Sequence, residues 1–303
     1  MESLTYSTVR SEFKSIYSPH KPHKPPLQTL ALLFLLPLSF ILTSYYPLQN
    51  ILRYPIIFPL ACAFAAFLLY VSAIGSITVS VCHAFCRRPF GLISVIASLP
   101  AHFIPLSATV LASLITQLSI CSLAALLLFS CLRVYELLGF GEVHHSSSSP
   151  YFVGLCSVFG LVLFSCLVCL QASWSLAWAI VVAEECGWGG VEPLRRSANL
   201  MMKHRAARRV VILQLLNFWF GVGLTSWLSY QLQSGSASTV VSVSWAGLAP
   251  SLFLALYVMS QISWNAVVYL LCMKMDEEGS SKLLPGAEEY VGLVIKDEEE
   301  SQI

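Results

Sequence analysis

Few side chains in this sequence are of a kind that does chemistry, and their spacing limits what they can do. Cys166 and Cys169 stand in the C-x-x-C arrangement of redox and metal sites. They lie inside a run from Tyr151 to Ala183 that contains no Asp, Glu, Lys, Arg or His. A metal or redox site needs water access and further ligands, and His144 and His145 fall in a connecting segment outside that run. No H-E-x-x-H, Walker or G-x-S-x-G pattern occurs. Acids outside the two terminal segments are sparse: Glu136, Glu142, Glu184, Glu185 and Glu192. The expectation is no catalytic centre, no metal and no cofactor.

Neutral amides are the next candidates. Gln117, Gln171, Gln214, Asn217, Gln261 and Asn265 interrupt apolar runs, and Gln261 and Asn265 share one helix face at a spacing of i, i+4. Two uses suit them. They can bond neighbouring helices, at about 0.6 kcal/mol each, or Asn217, Gln261 and Asn265 can line a pathway for a neutral solute. Cys82, Cys86, Cys186 and Cys272 sit at the ends of apolar runs, where thiols can be palmitoylated; Cys82 and Cys86 are the pair closest together.

The elements that position these residues follow from the apolar runs. Hydrophobic residues make up 56% of the chain and charged ones 11%, against about 25% charged in a soluble protein. About twenty apolar residues span a bilayer as a helix, and the runs are too long and too little alternating for barrel strands. The fold class predicted is all-α: a polytopic membrane helical bundle with spans at about 27–46, 56–82, 103–132, 151–183, 210–232 and 242–273. A cytosolic N-terminal tail (1–26) precedes this bundle (27–273), and an acidic disordered cytosolic tail (274–303) follows it. Pro37 and Pro250 fall inside spans, where kinks are expected. Buried cysteines in apolar runs predict no disulfide framework.

Charge gives the orientation. Fifteen of the seventeen Lys and Arg residues lie in four segments: the N-tail, Arg87–Arg88, Arg195 to Arg209, and the C-tail. Six spans put all four segments on one side, which the positive-inside rule makes the cytosol. Tyr45, Tyr46, Tyr54, Tyr151, Trp227 and Tyr230 fall near the opposite face, as an aromatic belt does.

The most distinctive segment joins spans four and five. Glu184, Glu185 and Gly187 end the span, and Pro193 opens a new helix. Leu194, Ser197, Ala198, Met201 and Met202 fall on one side of that helix. Arg195, Arg196, Asn199 and Lys203 fall on the other. The pattern predicts an amphipathic helix in the membrane interface. Two roles suit it: a clasp, with Glu184 or Glu185 pairing Arg195 or Arg196, and a contact for anionic headgroups. A similar device, Arg87-Arg88-Pro89 and the apolar segment Phe90 to Leu99 closed by Pro100, precedes span three. The likeness suggests a repeat of spans two–three and four–five.

The run Glu184-x-x-Gly187, then Leu194-Arg195-Arg196-Ser197-x-x-Leu200 with Lys203 after it, resembles a family of uncharacterised plant multi-pass transmembrane proteins. Ser94 to Pro100 before span three fits that family's layout. The same hairpin resembles one in bacterial membrane domains related to glycerophosphodiester phosphodiesterase, whose catalysis belongs to a separate soluble domain not expected here. The resemblance implies fold and membrane residence and no reaction.

The function expected is that of an integral multi-pass protein of an endomembrane or the plasma membrane, both termini cytosolic, with a structural or accessory role. The alternative is a transporter or channel for a neutral solute or lipid. The expected partners are the bilayer, anionic headgroups and a protein partner, not nucleic acid.

Overall fold

The computed structural model describes residues 6–16, 29–52, 56–86, 91–137, 150–184, 189–234 and 240–281. Every regular element among them is helical, so the chain is all-α. In chain order these are α1 (Tyr6–Ile16), α2 (Leu36–Leu52), α3 (Ile57–Phe85), α4 (Leu92–Leu137) and α5 (Pro150–Trp174). They continue with α6 (Ala177–Ala183), α7 (Val191–Lys203), α8 (Arg205–Ser234) and α9 (Val240–Ser281). A π-helical stretch, Ala31–Leu35, leads into α2.

Helices are the form that lipid imposes, because hydrocarbon offers no water to an unpaired peptide group. Five of the described helices are long and apolar enough to cross a membrane: Ile57–Phe85, Leu92–Val134, Val153–Ala183, Arg205–Gln231 and Leu248–Asp276. The segment expected as the first span contributes a shorter apolar stretch, Leu32–Tyr45. Its helical register is interrupted just before Pro37. A proline lacks the N–H and crowds the carbonyl four residues back, here that of Leu33, and the wider π turn accommodates the crowding.

The core sits at one end of the bundle. There α9 is buried without interruption from Gln261 to Tyr269, and α3 from Ala73 to Val81. Ala179 to Val182 of α6 and Ala207, Val210, Val211 and Leu215 of α8 complete it. α9 is the central member, packed against α1, α2, α3, α6 and α8. At the other end large apolar residues face outward, among them Ile115, Leu118, Leu161, Phe220 and Leu224. An apolar exterior of that extent is what lipid solvates and water does not.

Four features differ from the sequence reading. The N-tail forms α1, whose Val9 and Ile16 are buried and whose Tyr6 and Phe13 rings meet Trp264 of α9 in tilted contacts, with centroids 5.3 and 5.6 Å apart. These four apolar residues recur at helical spacing, which gives the short helix a sticky stripe. The expected apolar segment is not separate from span three: from Leu92 the chain is helical straight through Pro100 and Pro105, while Arg87, Arg88, Pro89 and Phe90 lie outside the described residues. The carbonyls those prolines free belong to Ile96 and Ala101, both exposed, so the surroundings can satisfy them. The span expected at 151–183 is broken at Ser175 and Leu176 into α5 and α6. Finally, helix α9 runs past 273 to Ser281, although the acidic tail was expected to be disordered from 274. Asp276 anchors that extension by accepting from Lys203 at 2.7 Å and meeting His204 at 3.1 Å.

Candidate functional site

Two places gather the polar residues of this chain. The first is the junction of α5, α6 and α7. A helix break inside a packed bundle leaves peptide groups without intrahelical partners, and each must be satisfied by something other than water. Ser197, fully buried on α7, does this for the break at Ser175 and Leu176. Its hydroxyl donates to the Ser173 carbonyl at 2.7 Å and accepts from the Leu176 N–H at 3.2 Å. α7 is thereby pinned edge-on to the broken span.

The connection that feeds α7 is equally constrained. Gly190 has φ +96°, and its N–H donates to Thr109 Oγ1 at 3.0 Å. Beside it, a Cβ on Gly189 would stand 2.6 Å from both the Cα and the carbonyl oxygen of Pro105. Only a residue without a side chain brings this backbone so close to α4.

An ion pair closes the junction. Arg196 Nη1 donates to Glu184 at 2.6 Å, and the Tyr269 hydroxyl reaches the other oxygen of Glu184 at 3.4 Å. Glu192 takes Arg195 at 3.3 Å and Arg196 at 3.4 Å within α7. Pro193, Leu194, Ser197 and Met201 are buried, while Met202 is exposed. The apolar side of α7 therefore packs on the bundle, and Met202 leaves that side because it lies one position beyond the contact line. Arg195, Arg205 and Arg209 remain exposed. Glu185 and Gly187 lie outside the described residues.

The second place is a cavity of about 780 Å³. It is bounded by α2, α3, α4, α5, α8 and α9. Its walls are Leu38, Leu42 and Thr43 of α2, Ala63, Ala66, Phe67 and Tyr70 of α3, Val110, Ser113, Leu114 and Gln117 of α4, Gln171 and Trp174 of α5, Phe218, Trp219, Val222, Thr225, Ser226, Ser229 and Tyr230 of α8, and Leu254 and Val258 of α9. Trp178 of α6 also faces it. Trp219 Nε1 donates to Gln171 Oε1 at 3.2 Å, which fixes one amide in the wall.

Each helix leaves the cavity in the same sense. On α3 the lining ends at Tyr70 and the buried stretch begins at Val71; on α9 it ends at Val258 and the buried stretch begins at Gln261. On α8 the buried Leu215 precedes the first lining residue, Phe218. The packed core thus closes the cavity at the end that carries the cations.

Of the amides picked from the sequence, Gln117 and Gln171 line the cavity, and the three expected to form a pathway are elsewhere. Gln261 Nε2 donates to Asn265 Oδ1 at 3.3 Å, and both side chains are buried in the packed end. Asn217 is exposed on α8, and none of the three lines this cavity. Cys86 is exposed at the end of α3 and Cys82 is half-buried one turn earlier. Cys166 and Cys169 are exposed on the apolar face of α5, and no three His, Cys, Asp or Glu residues group together among the described residues. Gln117 and Gln171 were legible only as interruptions in apolar runs, and Trp174, Trp178 and Trp219 were not singled out. Their convergence needs three helices at once, so no local pattern signals it.

Comparison with family models, with curated proteins and with solved structures gave no match to this chain.

Proposed function

We propose that this chain is a six-pass integral membrane protein with both termini in the cytosol and without a catalytic centre, serving an accessory role at the cytosolic face of its membrane. One observation carries the reading: α7 is locked to the bundle by Ser197 and Arg196, its corner with α8 is held by Asp276 through Lys203 and His204, and this fixed corner presents Arg195 of α7 and Arg205 and Arg209 of α8 outward. Preorganised surface cations attract anionic headgroups by about 1 kcal/mol each. Long Arg stems lie along apolar surface while the guanidinium reaches the phosphates.

The test uses the full chain in neutral nanodiscs, titrated with a soluble short-chain phosphatidylserine. Replacing Arg195, Arg205 and Arg209 by Gln removes about 3 kcal/mol of attraction at most, and the apparent affinity is expected to fall at least tenfold. Unchanged affinity sinks the headgroup role and leaves α7 a structural clasp alone.

A second reading is favoured by the cavity. Movement of a neutral solute or lipid requires a chamber of useful width inside the bundle, and 780 Å³ is such a chamber. The pathway is not the one through Asn217, Gln261 and Asn265.

A further inference from the structure

We propose that the cavity is a binding site for one neutral lipid: a largely hydrocarbon molecule whose head is a single uncharged hydroxyl. The site does not depend on the headgroup role of α7, which lies at the other, packed end of the bundle.

Size is the first argument. Small-molecule sites occupy roughly 300–1,000 Å³, and this one holds about 780 Å³. Chemistry is the second. Among the described residues no Asp, Glu, Lys, Arg or His lines the wall. A phosphate or ammonium brought here would be buried without a counter-charge, which is costly enough to exclude it. A sugar or other polyol is a poorer occupant, because the wall hydroxyls of Thr43, Ser113, Thr225 and Ser229 already donate to backbone carbonyls and Phe67, Trp174 and Phe218 cannot replace its many hydrogen bonds with water.

The polar groups of the wall select the head. The Gln117 amide and the Tyr70 hydroxyl line the cavity, and neither has a hydrogen-bond partner among the described residues. An unpaired amide or phenol in a low-dielectric chamber is unfavourable, and a ligand hydroxyl satisfies it. Gln171 is different, since Trp219 already holds its oxygen; this orients its NH2 as a further donor.

Access is the last argument. The packed core shuts the cation-bearing end, so an occupant enters from the bilayer or from the far side. Neutral lipids are concentrated in that bilayer. A dead end on one side also makes the cavity a receptor or carrier site in this conformation, not an open channel.

The experiment is photo-crosslinking of the full chain in nanodiscs with three clickable diazirine probes: a sterol, a diacylglycerol and a phosphatidylcholine. The first two carry the single hydroxyl head and separate a ring body from a two-chain one. Saturable labelling by either, mapped to peptides holding Gln117, Gln171 or Trp174 and competed by the unlabelled lipid, is the expected result. The phosphatidylcholine probe should label only the outer faces, such as that of Ile115 and Leu118, without saturation. Ala66→Trp fills the chamber and should cut saturable labelling at least tenfold. Gln117→Leu keeps nearly the same volume and should cut it several-fold; it decides the matter where Ala66→Trp fails to fold. Labelling that is non-saturable for all three probes, that saturates with phosphatidylcholine, or that survives Gln117→Leu overturns the proposal. Loss of the phosphatidylserine response in the arginine variant with sterol or diacylglycerol labelling intact separates the two sites.

Discussion

Replacing Ser197 by Ala removes one oxygen atom and tests whether α7 holds the broken span together. The hydroxyl serves two backbone groups at once, the Ser173 carbonyl and the Leu176 N–H, and both Ser197 and Leu176 are fully buried. An interhelical side-chain bond in a membrane bundle averages only about 0.6 kcal/mol, because the separated helices find other partners. That average does not apply to the Leu176 N–H, because the carbonyl one turn back, that of Ala172, already accepts from the N–H and the hydroxyl of Ser175. Leaving it buried and unpaired costs about 1–3 kcal/mol. The expected loss is therefore about 2 kcal/mol, near thirtyfold in the unfolding equilibrium at 1.4 kcal/mol per factor of ten. SDS titration in mixed micelles, read by the fluorescence of Trp174 and Trp178 beside the break, measures it. Asn199→Ala, on the exposed face of the same helix, serves as control and should stay within about 0.5 kcal/mol of the parent. A Ser197→Ala shift no larger than that control refutes the account of α7 as the partner of the break.

Gly189→Ala should be at least as damaging, since its methyl would stand 2.6 Å from the backbone of Pro105, which cannot swing aside; overpacking of this kind costs about 1–3 kcal/mol, and the same titration reads it. Gly221→Ala places a methyl 2.5 Å from the Tyr257 ring. Tyr257→Ala should relieve most of that damage, giving a coupling above about 0.5 kcal/mol in a double-mutant cycle; simple additivity would mean that the two do not meet. For the topology, cysteines introduced beside Lys203 should react with a membrane-impermeant maleimide from the cytosol, and those beside His144 from the far side. Reaction of both from one side would show that a span is miscounted.

Much of the bundle was legible because lipid makes a blunt demand. Long uncharged runs must be helices, and five of them are helices of spanning length. The face of α7 that carries Leu194, Ser197 and Met201 was also legible, since helical periodicity is local. Its destination was not: the stripe that reads as lipid-facing is covered by α5 and α6. The break at Ser175 and Leu176 leaves no mark in a run that is apolar on both sides. α1 was missed although Tyr6, Val9, Phe13 and Ile16 stand at helical spacing, because its partner, Trp264, lies more than two hundred positions away. Gln261 and Asn265 were correctly placed on one face, and their mutual bond follows from that spacing.

By itself the sequence determined the helical class and the lengths of the apolar runs, and it gathered nearly all the cations into four segments. These are one-dimensional properties, set by the cost of exposing peptide groups and charges to hydrocarbon. Only the tertiary structure decided which polar groups face a chamber and which face a neighbour. That choice rests on how helices far apart in the chain pack, and Gln117, Gln171 and Tyr70 meet around one volume only because α3, α4 and α5 surround it.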